Sequence, residues 1–107
     1  MAIEVTDGNI TEFLNKKGIS VLDFWAPWCG PCKMLGPIIE ELANDNKSND
    51  NVSIGKINVD DNAEAAVNYG VRGIPTTIFF KDGKVADKII GAHSKADFQA
   101  KINALLS

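Results

Sequence analysis

The run Ser20-Val21-Leu22-Asp23-Phe24-Trp25-Ala26-Pro27-Trp28-Cys29-Gly30-Pro31-Cys32 decides the fold. Its first half, Ser20 to Trp25, carries apolar residues on both faces, the composition of a central strand covered by helices on each side. Asp23 is the one anomaly in it. After Pro31, the residues Met34, Leu35, Ile38, Ile39, Leu42 and Ala43 recur at helical spacing and predict a helix to about Asn46. Pro37 interrupts this helix beyond its first turn and predicts a kink. A strand that feeds directly into a helix is the building unit of a parallel sheet.

On the N-terminal side, Ile3 and Val5 alternate as a short strand, and Ile10, Phe13 and Leu14 mark one face of a helix from about Asn9 to Lys17. Gly18 suits the left-handed cap of that helix. Downstream, Asn44 to Asn51 is dense in Asn and Asp and reads as a surface loop; Val52 to Val59 is a third strand. Asp60 to Asn62 leads into a short helix over Ala63 to Tyr69, closed by Gly70. The apolar runs Thr76 to Lys81 and Val85 to Ile90 flank Asp82-Gly83, the signal of an antiparallel hairpin. A last helix begins at Ser94 and lines up Phe98, Ile102, Leu105 and Leu106. The expected order is β-α-β-α-β-α-β-β-α, a three-layer α/β sandwich whose central mixed sheet has helices on both faces. With no repeat, linker or low-complexity tract, residues 1–107 read as one domain.

Composition removes several classes of function. The 107 residues carry a formal net charge of -3, with 45% hydrophobic and 23% charged residues, which fits neither a disordered chain nor a membrane bundle. An acidic balance with scattered charges lacks the basic face of a nucleic-acid partner. The opening Met1-Ala2-Ile3-Glu4 carries no signal-peptide pattern, and no apolar run is long enough to span a bilayer, so a reducing cytoplasmic setting is expected. Two cysteines are too few for a disulfide scaffold.

Both cysteines stand in Trp28-Cys29-Gly30-Pro31-Cys32, between a strand end and a helix start. Pro31 suits the first helical position, which places Cys29 just outside the helix, facing unpaired N–H groups and the positive end of the dipole. That setting favours a thiolate, the nucleophile of disulfide exchange. Two cysteines three apart at a helix start are also close enough to pair. Three alternatives compete. A structural disulfide closing so short a loop removes only roughly 2 kcal/mol of unfolded-state entropy. A zinc site needs two more ligands, with His93 the sole histidine. Two idle buried thiols conflict with the exposure of Cys29 that the Gly-Pro turn predicts. C-x-x-C within a βαβ pattern favours a redox dithiol.

The run Asp23 to Lys33, together with Gly73-Ile74-Pro75-Thr76 and Phe80-Lys81-Asp82-Gly83, resembles the thioredoxin family in its bacterial W-C-G-P-C form, and the resemblance covers essentially the whole chain. It departs in the Asn- and Asp-rich loop 44–51 and at Ala63, where the family often has proline. The resemblance implies a thioredoxin fold and a protein-disulfide reductase: Cys29 attacks a substrate disulfide and Cys32 resolves the mixed disulfide. Gly30 and Pro31 then tune the reduction potential. Asp23, costly if ionised inside a strand, should have a raised pKa. The resemblance makes it the proton acceptor for Cys32, directly or through water, where the residues alone equally allow a carboxylate at a solvated strand end. Lys56 matches the family's lysine beside that aspartate; alone, it reads as a lysine reaching water.

X-Pro bonds are cis in only about 5–6% of cases, yet the match of Pro75 to the family's cis-proline loop implies a cis bond after Ile74. Trp28, Gly73, Ile74, Pro75, Gly91 and Ala92, with Gly30 and Pro31, would form a flat docking surface where the Ile74 backbone pairs with an extended substrate. Trp25 is expected to pack beneath the site, and Lys33 and His93 to be solvated. The resemblance further implies no bound cofactor, electrons drawn from NADPH through a flavin-dependent thioredoxin reductase, disulfide-containing proteins as partners, and a monomer. An oxidase or isomerase fits Gly30-Pro31 less well. A binding module that uses the surface without the chemistry is the reading from another class.

Overall fold

The computed structural model describes residues 1–107. Nine elements follow one another: β1 (Ile3–Glu4), α1 (Ile10–Leu14), β2 (Ile19–Trp25), α2 (Gly30–Asp45), β3 (Val52–Asn58), α3 (Ala63–Asn68), β4 (Thr76–Lys81), β5 (Lys84–Ile90) and α4 (Lys95–Leu106). The strands form one sheet in the order β1-β3-β2-β4-β5. β3 runs parallel to both β1 and β2, whereas β4 is antiparallel to β2 and β5 to β4. This is the mixed three-layer sandwich expected from the sequence.

The alternation of side chains along each strand builds two cores at once. Ile19 and Val21 of β2 and Phe79 of β4 pack against Leu35, Ile39 and Leu42 of α2 and Phe98 and Ile102 of α4. Their neighbours Leu22, Phe24, Ile78 and Phe80 point the other way, onto Phe13 and Leu14 of α1 and Ala65 of α3. β2 is therefore buried on both faces and sits at the centre, which fixes the position of everything attached to its end.

Asp82 and Gly83 both take positive φ angles, 51° and 84°, as the tight β4-β5 hairpin requires. Ser94 caps α4, its hydroxyl accepting from the Asp97 N–H at 3.2 Å. α2 continues unbroken through Pro37. α1 is shorter than expected, ending at Leu14 rather than near Lys17. Gly18 has the left-handed φ of 97°, but it serves the hairpin instead of capping that helix. Its N–H donates to Asp82 Oδ1 at 2.8 Å and its carbonyl accepts from the Asp82 N–H at 2.9 Å. A side chain at Gly18 would also collide with the Asn51 carbonyl.

Candidate active site

β2 ends at Trp25, and the chain turns through Ala26-Pro27-Trp28 into α2. Cys29 is the N-cap in an extended conformation, and its sulfur accepts from the Cys32 N–H at 3.2 Å. Gly30 and Pro31 make up the first two helical positions, where a proline costs no hydrogen bond. The sulfur of Cys29 therefore faces the positive end of a helix sixteen residues long. Cys29 and Cys32 are joined as a disulfide, with Cα atoms 5.2 Å apart.

The exposure expected of Cys29 is not observed: it is 5% exposed and Cys32 4%. Ala26 and the flanking Trp25, Val59 and Ile74 close around the pair. The Cys29 sulfur lies 3.8 Å from the Ile74 carbonyl. Ala26 and Trp25 just before it, together with the distant Val59 and Ile74, set its burial against what the Gly-Pro turn suggests.

Asp23 is 3% exposed, and its Oδ1 has no hydrogen-bond partner within the protein. Burial pushes its pKa up to about 7, against the opposing pull of the Lys56 ammonium. Lys56 on β3 and Thr77 on β4 are its partners across the two ladders, which puts all three on the α2 side of the sheet. Asp23, Trp25, Cys32, Ile39 and Lys56 line one cavity of about 300 Å3 under the start of α2. A larger depression of about 770 Å3, walled by Lys16, Lys17 and Asp82, includes none of the expected site residues, so size does not mark this site.

The Ile74-Pro75 bond is cis. The Pro75 carbonyl accepts from the Gly91 N–H at 2.8 Å, which joins the loop of Gly73, Ile74 and Pro75 to that of Gly91 and Ala92. Trp28 is 68% exposed, its indole N–H donating to Asp60 Oδ1 at 3.0 Å. Gly30, Pro31, Gly73 and Ala92 are exposed, Ile74 and Gly91 half-buried, and Pro75 buried. Trp25 is half-buried beneath the cysteines, while Lys33 and His93 are exposed. Thr77 and Asp60 escaped sequence reasoning, because only strand register and a turn between β3 and α3 bring them to the site. Glu40, bonded to Lys56 at 3.1 Å, was missed for the same reason. No group of three or more His, Cys, Asp or Glu side chains gathers to hold a metal ion, and no helix is long and apolar enough to cross a membrane.

A cysteine pair at a helix N-terminus, backed by a buried carboxyl and carried on this mixed sheet, defines a thiol-disulfide oxidoreductase. The family model described as Thioredoxin matches residues 1–104. Thioredoxin 2 of Chlorobaculum tepidum is 48% identical over 101 residues, spanning 94% of this chain and 91% of that protein. A thioredoxin of Pyropia yezoensis is 41% identical over 105 residues, 97% of this chain and 96% of that one. The chain belongs to the thioredoxin family, and its Cys29-Cys32 pair fits the dithiol-disulfide exchange of a protein-disulfide reductase.

Proposed function

We propose that residues 1–107 act as a single monomeric domain that reduces disulfides in other proteins through defined roles for Cys29, Cys32 and Asp23. The Cys29 thiolate, stabilised by the helix N-terminus, attacks one sulfur of a substrate disulfide. The substrate S–S bond breaks, its second sulfur leaves as a thiolate and takes up a proton, and a mixed disulfide remains. Cys32 then gives its proton to the Asp23 carboxylate and attacks the Cys29 sulfur. The second substrate thiol departs, and two electrons have passed from protein to substrate. The observation that carries this reading is the single cavity shared by Cys32 and a carboxyl whose pKa stands at about 7. An acceptor so tuned exchanges protons at neutral pH.

Docking falls to Trp28, Gly73, Ile74, Pro75, Gly91 and Ala92, which surround the cysteines with an apolar, weakly charged face. The half-buried Ile74 beside the Cys29 sulfur supports pairing of its backbone with an extended substrate segment. Gly30 and Pro31 tune the couple through the helix start, and Lys56 through its charge beside Asp23. Family membership supports a supply of electrons from NADPH through a flavin-dependent thioredoxin reductase, and work in the cytoplasm. The test is turnover of a disulfide-containing protein with NADPH and such a reductase. Catalytic consumption of NADPH, lost when either cysteine is replaced, is the expected result. Failure with several such reductases, or function retained by the variant lacking both cysteines, would replace this reading by that of a binding module.

A further inference from the structure

Lys56 stands directly opposite Asp23 in the β2-β3 ladder, and both line the cavity under α2. An ammonium turned toward that carboxyl favours its ionised form and weakens it as a base. The Lys56 ammonium already exerts part of that pull, and it is paired with a carboxylate. Its Nζ lies 3.1 Å from Glu40 Oε2, on the third turn of α2. Glu40 is itself fixed at a second point, because its Oε1 accepts from the Ala2 N–H at 2.8 Å. Burial works against the Glu40 charge, but the Ala2 bond and the Lys56 ammonium prevail and hold its carboxyl below the usual range. Glu40 therefore stays ionised throughout the pH range in which Cys32 reacts.

We propose that Glu40 is a positioning residue for the resolving step, pairing with the Lys56 ammonium so that its charge bears less on the Asp23 carboxyl. The inference rests on the reading of Asp23 as proton acceptor and adds a residue that touches neither cysteine. Cys32 and Lys33 of α2 and Lys56 of β3 are the other ionisable groups that line the cavity; β4 presents Thr77, which does not ionise. Of these, Lys56 is the one bonded to Glu40. Releasing it returns an unpaired positive charge to the cavity, where a unit charge at roughly 6 Å in water moves a carboxyl by about half a pH unit.

The test uses the reduced 107-residue chain and two readouts: the Asp23 titration by carbon-13 NMR of its carboxyl, and the pH profile of mixed-disulfide resolution. Glu40→Gln keeps an acceptor for the Ala2 N–H and removes the charge. It is expected to move the Asp23 midpoint, and with it the acid limb of resolution, down by about half a pH unit. In a Lys56→Met background the same substitution should move neither. An unshifted midpoint in Glu40→Gln overturns the proposal, and so does a shift that persists undiminished beside Lys56→Met, since Glu40 would then act by its own field. A midpoint that moves with Lys56 present while the rate profile stays fixed upholds the control of Asp23 by Glu40 and overturns Asp23 as proton acceptor.

Discussion

Asp23 and Cys32 line the same cavity although one belongs to the middle strand and the other to the first turn of the helix that follows it. The strand end and the turn through Ala26 to Trp28 bring the helix start back over the face on which Asp23 points. A buried carboxyl thereby shares a cavity with Cys32, the sulfur that loses its proton late in the proposed reaction.

This placement has a cost in stability that depends on pH. The unfolded chain releases the Asp23 proton near 3.8, the folded chain near 7. Between these values Asp23 binds more protons in the folded state, so its contribution to stability is greatest below the window and falls as pH rises through it. The full loss is on the order of 4 kcal/mol at pH above the window. Asp23→Asn should abolish the slope, leaving a protein that is more stable than the parent at about pH 8 and slower in resolution. Urea unfolding as a function of pH checks the first expectation. A parent whose stability does not decline between about pH 4 and 7 would contradict the raised pKa.

A second expectation concerns packing. Gly55 on β3 lies where an added Cβ would stand 2.7 Å from Val5 Cγ2 and 3.0 Å from the Phe13 ring. Both neighbours are buried side chains of the core on the α1 side, so relief requires the core to shift. Gly55→Ala should destabilise the protein by about 1–3 kcal/mol, read as a lower denaturation midpoint with an unchanged slope.

The proposed docking role of Trp28 is tested separately from the chemistry. Trp28 offers a large exposed ring, and its bond to Asp60 holds the indole in one orientation. Trp28→Ala should lower kcat/KM for a folded protein substrate roughly tenfold, the loss of one aromatic anchor, and leave reduction of a small aromatic disulfide nearly unchanged. Equal losses with both substrates would assign Trp28 to the chemistry.

Reduction should spare the fold. The Cys29-Cys32 bridge closes a loop of only four residues, which limits its entropic contribution to about 2 kcal/mol, and both cores lie outside it. Circular dichroism of the reduced protein should overlay that of the oxidised protein, with a modestly lower unfolding midpoint. Loss of secondary structure on reduction would make the bridge a structural one.

Local chemistry made much of this molecule legible in advance. Asp82-Gly83 announced the hairpin and thereby the bounds of β4; the alternation of Val21 and Leu22 to opposite faces placed β2 at the centre; Pro31 marked the start of α2 within one residue. The misses depend, in whole or in part, on contacts between distant segments. Gly18 was taken into the hairpin by Asp82, so α1 lost its expected end. Cys29 was covered by Ala26 and the Ile74 loop, against the exposure its own turn suggested. Glu40 and Lys56 are brought together only when α2 packs over β3, and no periodicity in either segment announces that pair. The cis bond at Pro75 came from family resemblance; its neighbours alone favoured trans.

Trapping separates the proposed roles of the two sulfurs, Cys29 as attacker and Cys32 as resolver. Each single cysteine variant is mixed in its reduced form with a disulfide-containing protein, and covalent adducts are counted by non-reducing electrophoresis and mass spectrometry. Cys32→Ser is expected to accumulate a stable adduct through Cys29, while Cys29→Ser accumulates none. Equal trapping by both variants, or trapping by Cys29→Ser alone, would overturn that assignment of roles.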